Sequence, residues 1–242
     1  MRIAFAILFF VFVGLCELLR LGFFGLSNSE TSGITYGALA LCAVLILRSD
    51  LVFTMYCPDQ PLYGNERFSW TWSRTVLGLF LGPVIWMVPA AFGFALMQIN
   101  VSPVIDDVLL RSVLVQVFLV GFAEGLFFRE AVIKAFGEDT LPMYVVSALA
   151  VFIFYVPTGV PQALIAAAFG VYFLTLRLIG TNILAVALVH GATVVLFSQV
   201  ISLGLTQADM WTYAAYFTVA TAALSLLVFT LFASAGKEPE YA

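Results

Sequence analysis

Glu124 and His190 are the side chains of this sequence whose types and placement suit proton transfer. Each sits well inside a long apolar run, where an ionisable group costs several kcal/mol unless it is paired or faces water. A carboxyl and an imidazole able to meet form a minimal acid/base pair. The bland alternative is an interhelical hydrogen bond that holds two helices together, and the residues alone leave both readings open. The other ionisable groups inside apolar runs are Arg129, Glu130, Glu17 and Arg20. Glu17 and Arg20 are three residues apart and can neutralise one another near a helix end.

The elements that must position these groups follow from composition. Of 242 residues, 63% are hydrophobic and 10% charged, against about 25% charged in a soluble domain. Mean hydropathy is +1.08. So much apolar surface cannot be hidden around one core while polar groups cover the exterior. The composition implies an all-α, polytopic membrane protein, about eight transmembrane helices in a single bundle. The net charge of −4 comes from scattered residues with no basic stripe, so nucleic acid is not an expected partner. Cys16, Cys42 and Cys57 show no paired spacing, which indicates neither a disulfide framework nor a thiolate metal site.

Apolar windows fall near 3–25, 33–56, 75–98, 112–134, 141–159, 161–178, 182–204 and 209–235, each close to the roughly 20 residues a crossing needs. The first reads as a retained helix, since no small-residue cleavage site follows it. Pro157 to Pro161 leaves so little chain that the fifth and sixth helices should form a hairpin, and Pro83 and Pro89 should kink the third. Numbering the connections alternately puts Arg2, Arg48, Arg67, Arg74, Lys134, Arg177 and Lys237 on one side, against Arg111 and at most Arg20 on the other. That bias puts both termini in the cytoplasm. Glu124 then lies about 15 Å from the cytoplasmic helix end at Lys134, and His190 about 12 Å from its helix start near Asn182, so the two share a depth. At 100° per residue Arg129 points roughly 140° away from Glu124, toward headgroups or another helix. Gly121 and Gly125 form a GxxxG pattern, which lets a second helix approach closely.

The run Ala123–Arg129 resembles the EExxxR signature of the CPBP intramembrane proteases, which include the CAAX prenyl endopeptidases and the bacterial Abi self-immunity proteins. The family's FxxxH aligns with Phe152–Val156 and its HxxxN with His190–Val194, while Arg177, Gly180, Thr181 and Asn182 resemble the turn into the last core helix. The resemblance covers roughly residues 110–200, the fourth to seventh helices. It implies a glutamate and a histidine that activate water, and a further histidine and an asparagine that stabilise the oxyanion. This chain keeps Glu124, Arg129, Phe152 and His190, but has Gly125, Val156 and Val194 where the family has its second glutamate, second-motif histidine and asparagine. Tyr155, Thr158, Thr193 and Ser198 are the nearby hydroxyls that could stand in.

The leading expectation is a CPBP-type endopeptidase cutting a membrane-associated peptide or protein near the cytoplasmic face. Glu124 would be the base and His190 its partner, with Arg129 orienting the glutamate helix. Both would face a polar cavity open to the cytoplasm, with Val156 and Val194 on its wall. No cofactor is expected, because a zinc site needs three or four ligands and the chain has one histidine. The alternative is a catalytically degraded relative that binds a membrane peptide or protein as an immunity factor or scaffold. A small-solute transporter is a distant third, since a transporter would want a chain of ionisable groups across the membrane.

Overall fold

The computed structural model describes residues 2–20, 28–48, 72–96, 99–101, 113–136, 140–197, 201–203 and 205–232. They form eight helical rods: α1 (Arg2–Arg20), α2 (Asn28–Arg48), a third rod of α3 (Trp72–Leu81) and α4 (Met87–Leu96), a composite fourth rod over 113–136, α7 (Thr140–Tyr155), α8 (Val160–Leu178), α9 (Ile183–Val195) and α10 (Gln207–Phe232). Among the described residues, four stretches are long and apolar enough to cross a membrane: Thr75–Gly93, Thr140–Thr158, Val160–Leu178 and Asp209–Phe232. Phe5–Leu19, Thr31–Leu47 and Ile183–Val195 are shorter apolar helices. The fourth rod carries Glu124, Arg129, Glu130 and Lys134 and is interrupted by π turns.

Pro83 has the effect its missing N–H demands. A 3₁₀ segment, Gly82–Trp86, separates α3 from α4, and the Tyr172 hydroxyl donates to the carbonyl of Leu81 just before it. The turn Val156–Thr158 joins α7 to α8, and the two helices pack side by side. Apolarity alone extends the seventh helix to about residue 204. Instead the described chain leaves helix after Leu196–Phe197, and β2 (Ile201–Leu203) pairs antiparallel with β1 (Ile99–Val101), Asn100 opposite Ser202. Pairing satisfies the backbone of both segments where helix ends leave it open.

Helix α9 lies between two rods. On one side it runs antiparallel to the fourth: a Cβ on Gly125 would meet Ile183 Cδ1 at 2.9 Å, one on Gly121 the Ala187 carbonyl oxygen at 2.6 Å, and one on Gly191 the Val117 Cα at 2.5 Å. Each step of four along one helix is answered by four along the other, so the GxxxG face of the fourth rod is the seam against α9. On the other side α9 runs parallel to α3. Asn182 donates to the Thr75 hydroxyl and Trp86 Nε1 to Thr193 Oγ1 at 2.7 Å, both across 107 residues, and Gly78 and Gly82 meet Ala185 and Val189 between them.

Two apolar clusters flank this seam. Phe9, Phe127, Phe128, Val151 and Phe154 belong to one, with Phe9 and Phe127 stacked at 4.4 Å; Ile85, Tyr172, Phe173, Val189 and Phe217 belong to the other. Arg129, which follows Phe128 of the first cluster in the chain, lies over the ring of Phe173 of the second.

Candidate active site

The fourth rod is wound unusually around Glu124. A π segment, Val115–Gly121, precedes the short α5 (Phe122–Gly125), and a second, Leu126–Ala131, separates it from α6 (Val132–Phe136). With i→i+5 bonding, residues five apart share a face. Glu124 and Arg129 are five apart. Of the two directions expected for Arg129, headgroups or another helix, the structure has the second: it is 1% exposed, and its Nη2 lies 3.5 Å from His190 Nδ1 on α9. Ser147 of α7 donates to the Phe128 carbonyl at 2.8 Å, satisfying an acceptor inside the π segment.

Glu124 is 1% exposed and sits between two helices. From α7 the Tyr155 hydroxyl donates to its Oε1 at 2.5 Å, the short range of an O–H bond to a charged acceptor. From α9 the His190 ring presents Nε2 at 3.7 Å from Oε2. A guanidinium has donors only, so in its contact with Arg129 the Nδ1 of His190 is the accepting nitrogen. The ring proton then belongs on Nε2, facing the carboxylate. Phe173 of α8 underlies both cationic and ring partners: Arg129 Cζ is 5.2 Å from its centroid and the His190 ring 5.0 Å.

The turn into α9 fixes where His190 starts. Gly180 N–H bonds the Arg177 carbonyl at 3.0 Å and Thr181 N–H the Leu176 carbonyl at 3.1 Å, a Schellman closure with Gly180 at φ 97°. Asn182 caps α9, its Oδ1 accepting from Ala185 N–H at 2.8 Å. Arg177 donates through Nε to Glu130 and through Nη1 to the Thr181 carbonyl, which ties the turn to the fourth rod. Lys134, 4% exposed, donates to the Ile46 and Leu47 carbonyls at 3.0 and 2.6 Å, filling acceptors that the end of α2 leaves open.

The structure thus gathers Glu124, Arg129 and His190, and adds Tyr155 and Phe173. Tyr155 is one of the hydroxyls that the sequence offers as a stand-in; Phe173 is signalled only by lying four residues, one helical turn, before Arg177. Val156 follows Tyr155 into the 3₁₀ turn, where the winding changes, and is 39% exposed. Phe152 is half-buried, whereas Phe154 is fully buried and packs edge-on against Phe128. Val194 is half-buried beside Thr193, whose hydroxyl is engaged by Trp86 and Val189. Gly125 is filled by the tip of Ile183. Thr158 bonds the Tyr155 carbonyl, Ser198 and the Arg20 side chain lie outside the described residues, and Glu17 is buried. Among the described residues, no three His, Cys, Asp or Glu side chains converge on one point.

Residues 106–196, less than half of the chain, match the family model described as type II CAAX prenyl endopeptidase Rce1-like. No curated protein and no solved structure matches. The matched segment holds every residue of the polar cluster, and with the four apolar spans it makes this an integral membrane protein. Over residues 106–196 the chain is similar to the type II CAAX prenyl endopeptidase family, the resemblance that its Glu124, Arg129 and His190 already carry.

Proposed function

We propose that this protein is an intramembrane endopeptidase that hydrolyses a peptide bond of a membrane-associated substrate near the cytoplasmic face, with Glu124 activating the water. The observation that carries this reading is the carboxylate of Glu124 held between the Tyr155 hydroxyl and His190 Nε2. Glu124 takes a proton from water as the water oxygen bonds to the scissile carbonyl carbon, and the carbonyl π pair moves onto oxygen. On collapse the C–N bond breaks, and the proton held by Glu124 passes to the leaving amine. The ring N–H of His190 and the phenol of Tyr155 donate to the groups that develop charge beside Glu124. Eight crossings with both termini cytoplasmic are part of the same proposal. The family's description names prenylated CAAX substrates, which makes a farnesylated CAAX-type peptide the first probe. Glu124→Gln and His190→Ala should each abolish its cleavage by purified protein whose melting temperature is retained. Undiminished activity of Glu124→Gln would remove the enzyme reading, because the isosteric amide loses only the base.

A second reading, a degraded relative that binds a membrane peptide without cutting it, is favoured by one observation. The position of the second glutamate is packed with Ile183 rather than open. It predicts that Glu124→Gln keeps full biological activity.

A further inference from the structure

The Arg129 guanidinium is 1% exposed, yet its Nε and Nη1 make no hydrogen bond to any described group. Among the described residues its one hydrogen-bonding contact is Nη2 to His190 Nδ1, at the 3.5 Å limit of a hydrogen bond. Buried donors are nearly always satisfied, and a charged donor left open is the costliest exception. Glu130, the adjacent carboxylate, is taken by Arg177. The absence of a side chain at Gly125 is what leaves the guanidinium open: a Cβ there would already lie 3.5 Å from Nη1, so a longer acidic side chain would begin beside it. The His190 ring touches both charged groups, with Nε2 3.7 Å from Glu124 and Nδ1 3.5 Å from Arg129. That spacing suits a water on the carboxylate and a carbonyl oxygen on the guanidinium in series. The expected asparagine position is Val194 and the expected second histidine position is Val156, and valine supplies no donor.

We infer that Arg129 is a further catalytic residue, whose open N–H groups bind the carbonyl oxygen of the scissile peptide and stabilise the negative charge it acquires when water adds. This rests on the endopeptidase reading. In the attack step the water proton goes to Glu124, which becomes neutral, and the carbonyl electron pair to the oxygen held by Arg129, so the negative charge passes from the carboxylate to the oxygen beside the guanidinium. A preorganised donor of this kind contributes about 10²–10³ in rate.

The test uses a farnesylated CAAX-type peptide and its phosphinic analogue, in which an anionic –PO₂–CH₂– unit replaces the scissile amide and mimics the intermediate. Arg129→Gln should weaken the phosphinic peptide by about 10²-fold while changing the affinity of the amide peptide little. In an Ile183→Val background, which removes the methyl that blocks position 125, Gly125→Glu should melt higher than Gly125→Ala and bind the phosphinic peptide at least about tenfold more weakly. Equal melting of those two variants, or phosphinic binding indifferent to both Arg129→Gln and Gly125→Glu, overturns the inference. If Arg129→Gln does not fold, the Gly125 pair decides. Neither readout needs turnover. A wild type that binds the phosphinic peptide through Arg129 but cuts nothing would therefore overturn the endopeptidase reading while leaving the oxyanion receptor standing.

Discussion

The phenol of Tyr155 donates to Glu124 Oε1 across 2.5 Å, so the last residue of α7 reaches back to the middle of the fourth rod. The aligned position for a histidine is its neighbour, Val156. A hydroxyl can hold a carboxylate and polarise a carbonyl, but it is no base near neutral pH. Tyr155→Phe keeps the ring beside Phe154 and removes only the donor. Cleavage of the probe peptide should fall by about 10², with folding intact. An unchanged turnover number would assign the phenol to packing alone.

Helix α9 approaches the fourth rod so closely that Gly121→Ala places a methyl 2.6 Å from the backbone oxygen of Ala187, which cannot rotate aside. Overpacking of this kind costs about 1–3 kcal/mol. Gly37→Ala, with nothing within 4 Å of the new methyl, is the control. Thermal melting in detergent should separate the two by several degrees. Equal melting points would mean that the seam between these helices is looser than the structure has it.

Glu130 and Arg177 form a buried ion pair at 7% and 4% exposure. Removing one partner strands a charge, at a cost of about 3–5 kcal/mol, whereas replacing both by apolar groups of similar volume is often nearly neutral. Glu130→Gln should therefore melt well below wild type. The double variant Glu130→Met/Arg177→Met should recover part of the loss despite losing the bond from Arg177 to the Thr181 carbonyl. Failure of any recovery would show that the turn into α9, rather than the charge pair, is what Arg177 chiefly supports.

A glutamate mechanism without metal predicts that chelation leaves cleavage alone. Treatment with 1,10-phenanthroline or EDTA should not lower the rate on the probe peptide. Loss of activity, restored by zinc, would require ligands beyond His190 and Glu124.

The topology proposal places Ala242 in the cytoplasm and the 100–111 connection outside. Reporter fusions at both positions check it directly. An external signal at Ala242 would overturn the eight-crossing arrangement or its orientation.

Much of this architecture is legible in the sequence, for a simple reason. In a bilayer every backbone polar group must be satisfied within its own helix, so apolar length translates into rods with little interference from context. Composition, apolar spacing and Pro83 accordingly point to a membrane protein with helical rods and a break in the third. The Gly121–Gly125 pattern likewise marks a surface that another helix can approach. Which helix does so is a tertiary matter, because any small-residue or slender face would serve and only α9 presents Ile183, Ala187 and Gly191 in the complementary register.

The candidate site shows the limit more sharply. That Glu124 and His190 share a depth follows from counting residues, but the direction of Arg129 depends on a π turn that hydropathy does not encode, since i→i+4 and i→i+5 winding have the same apolar content. The choice between Tyr155 and Val156 turns on where α7 tightens into its 3₁₀ end, one residue that rotates one side chain inward and leaves the other 39% exposed. The space beside Gly125 is likewise decided in the tertiary structure, where the tip of Ile183 occupies it. Chain composition therefore determined the solvent this protein folds in and roughly where its helical rods fall. Packing between helices distant in sequence decided which polar groups meet, because small departures from ideal winding redirect side chains that no periodicity argument can follow.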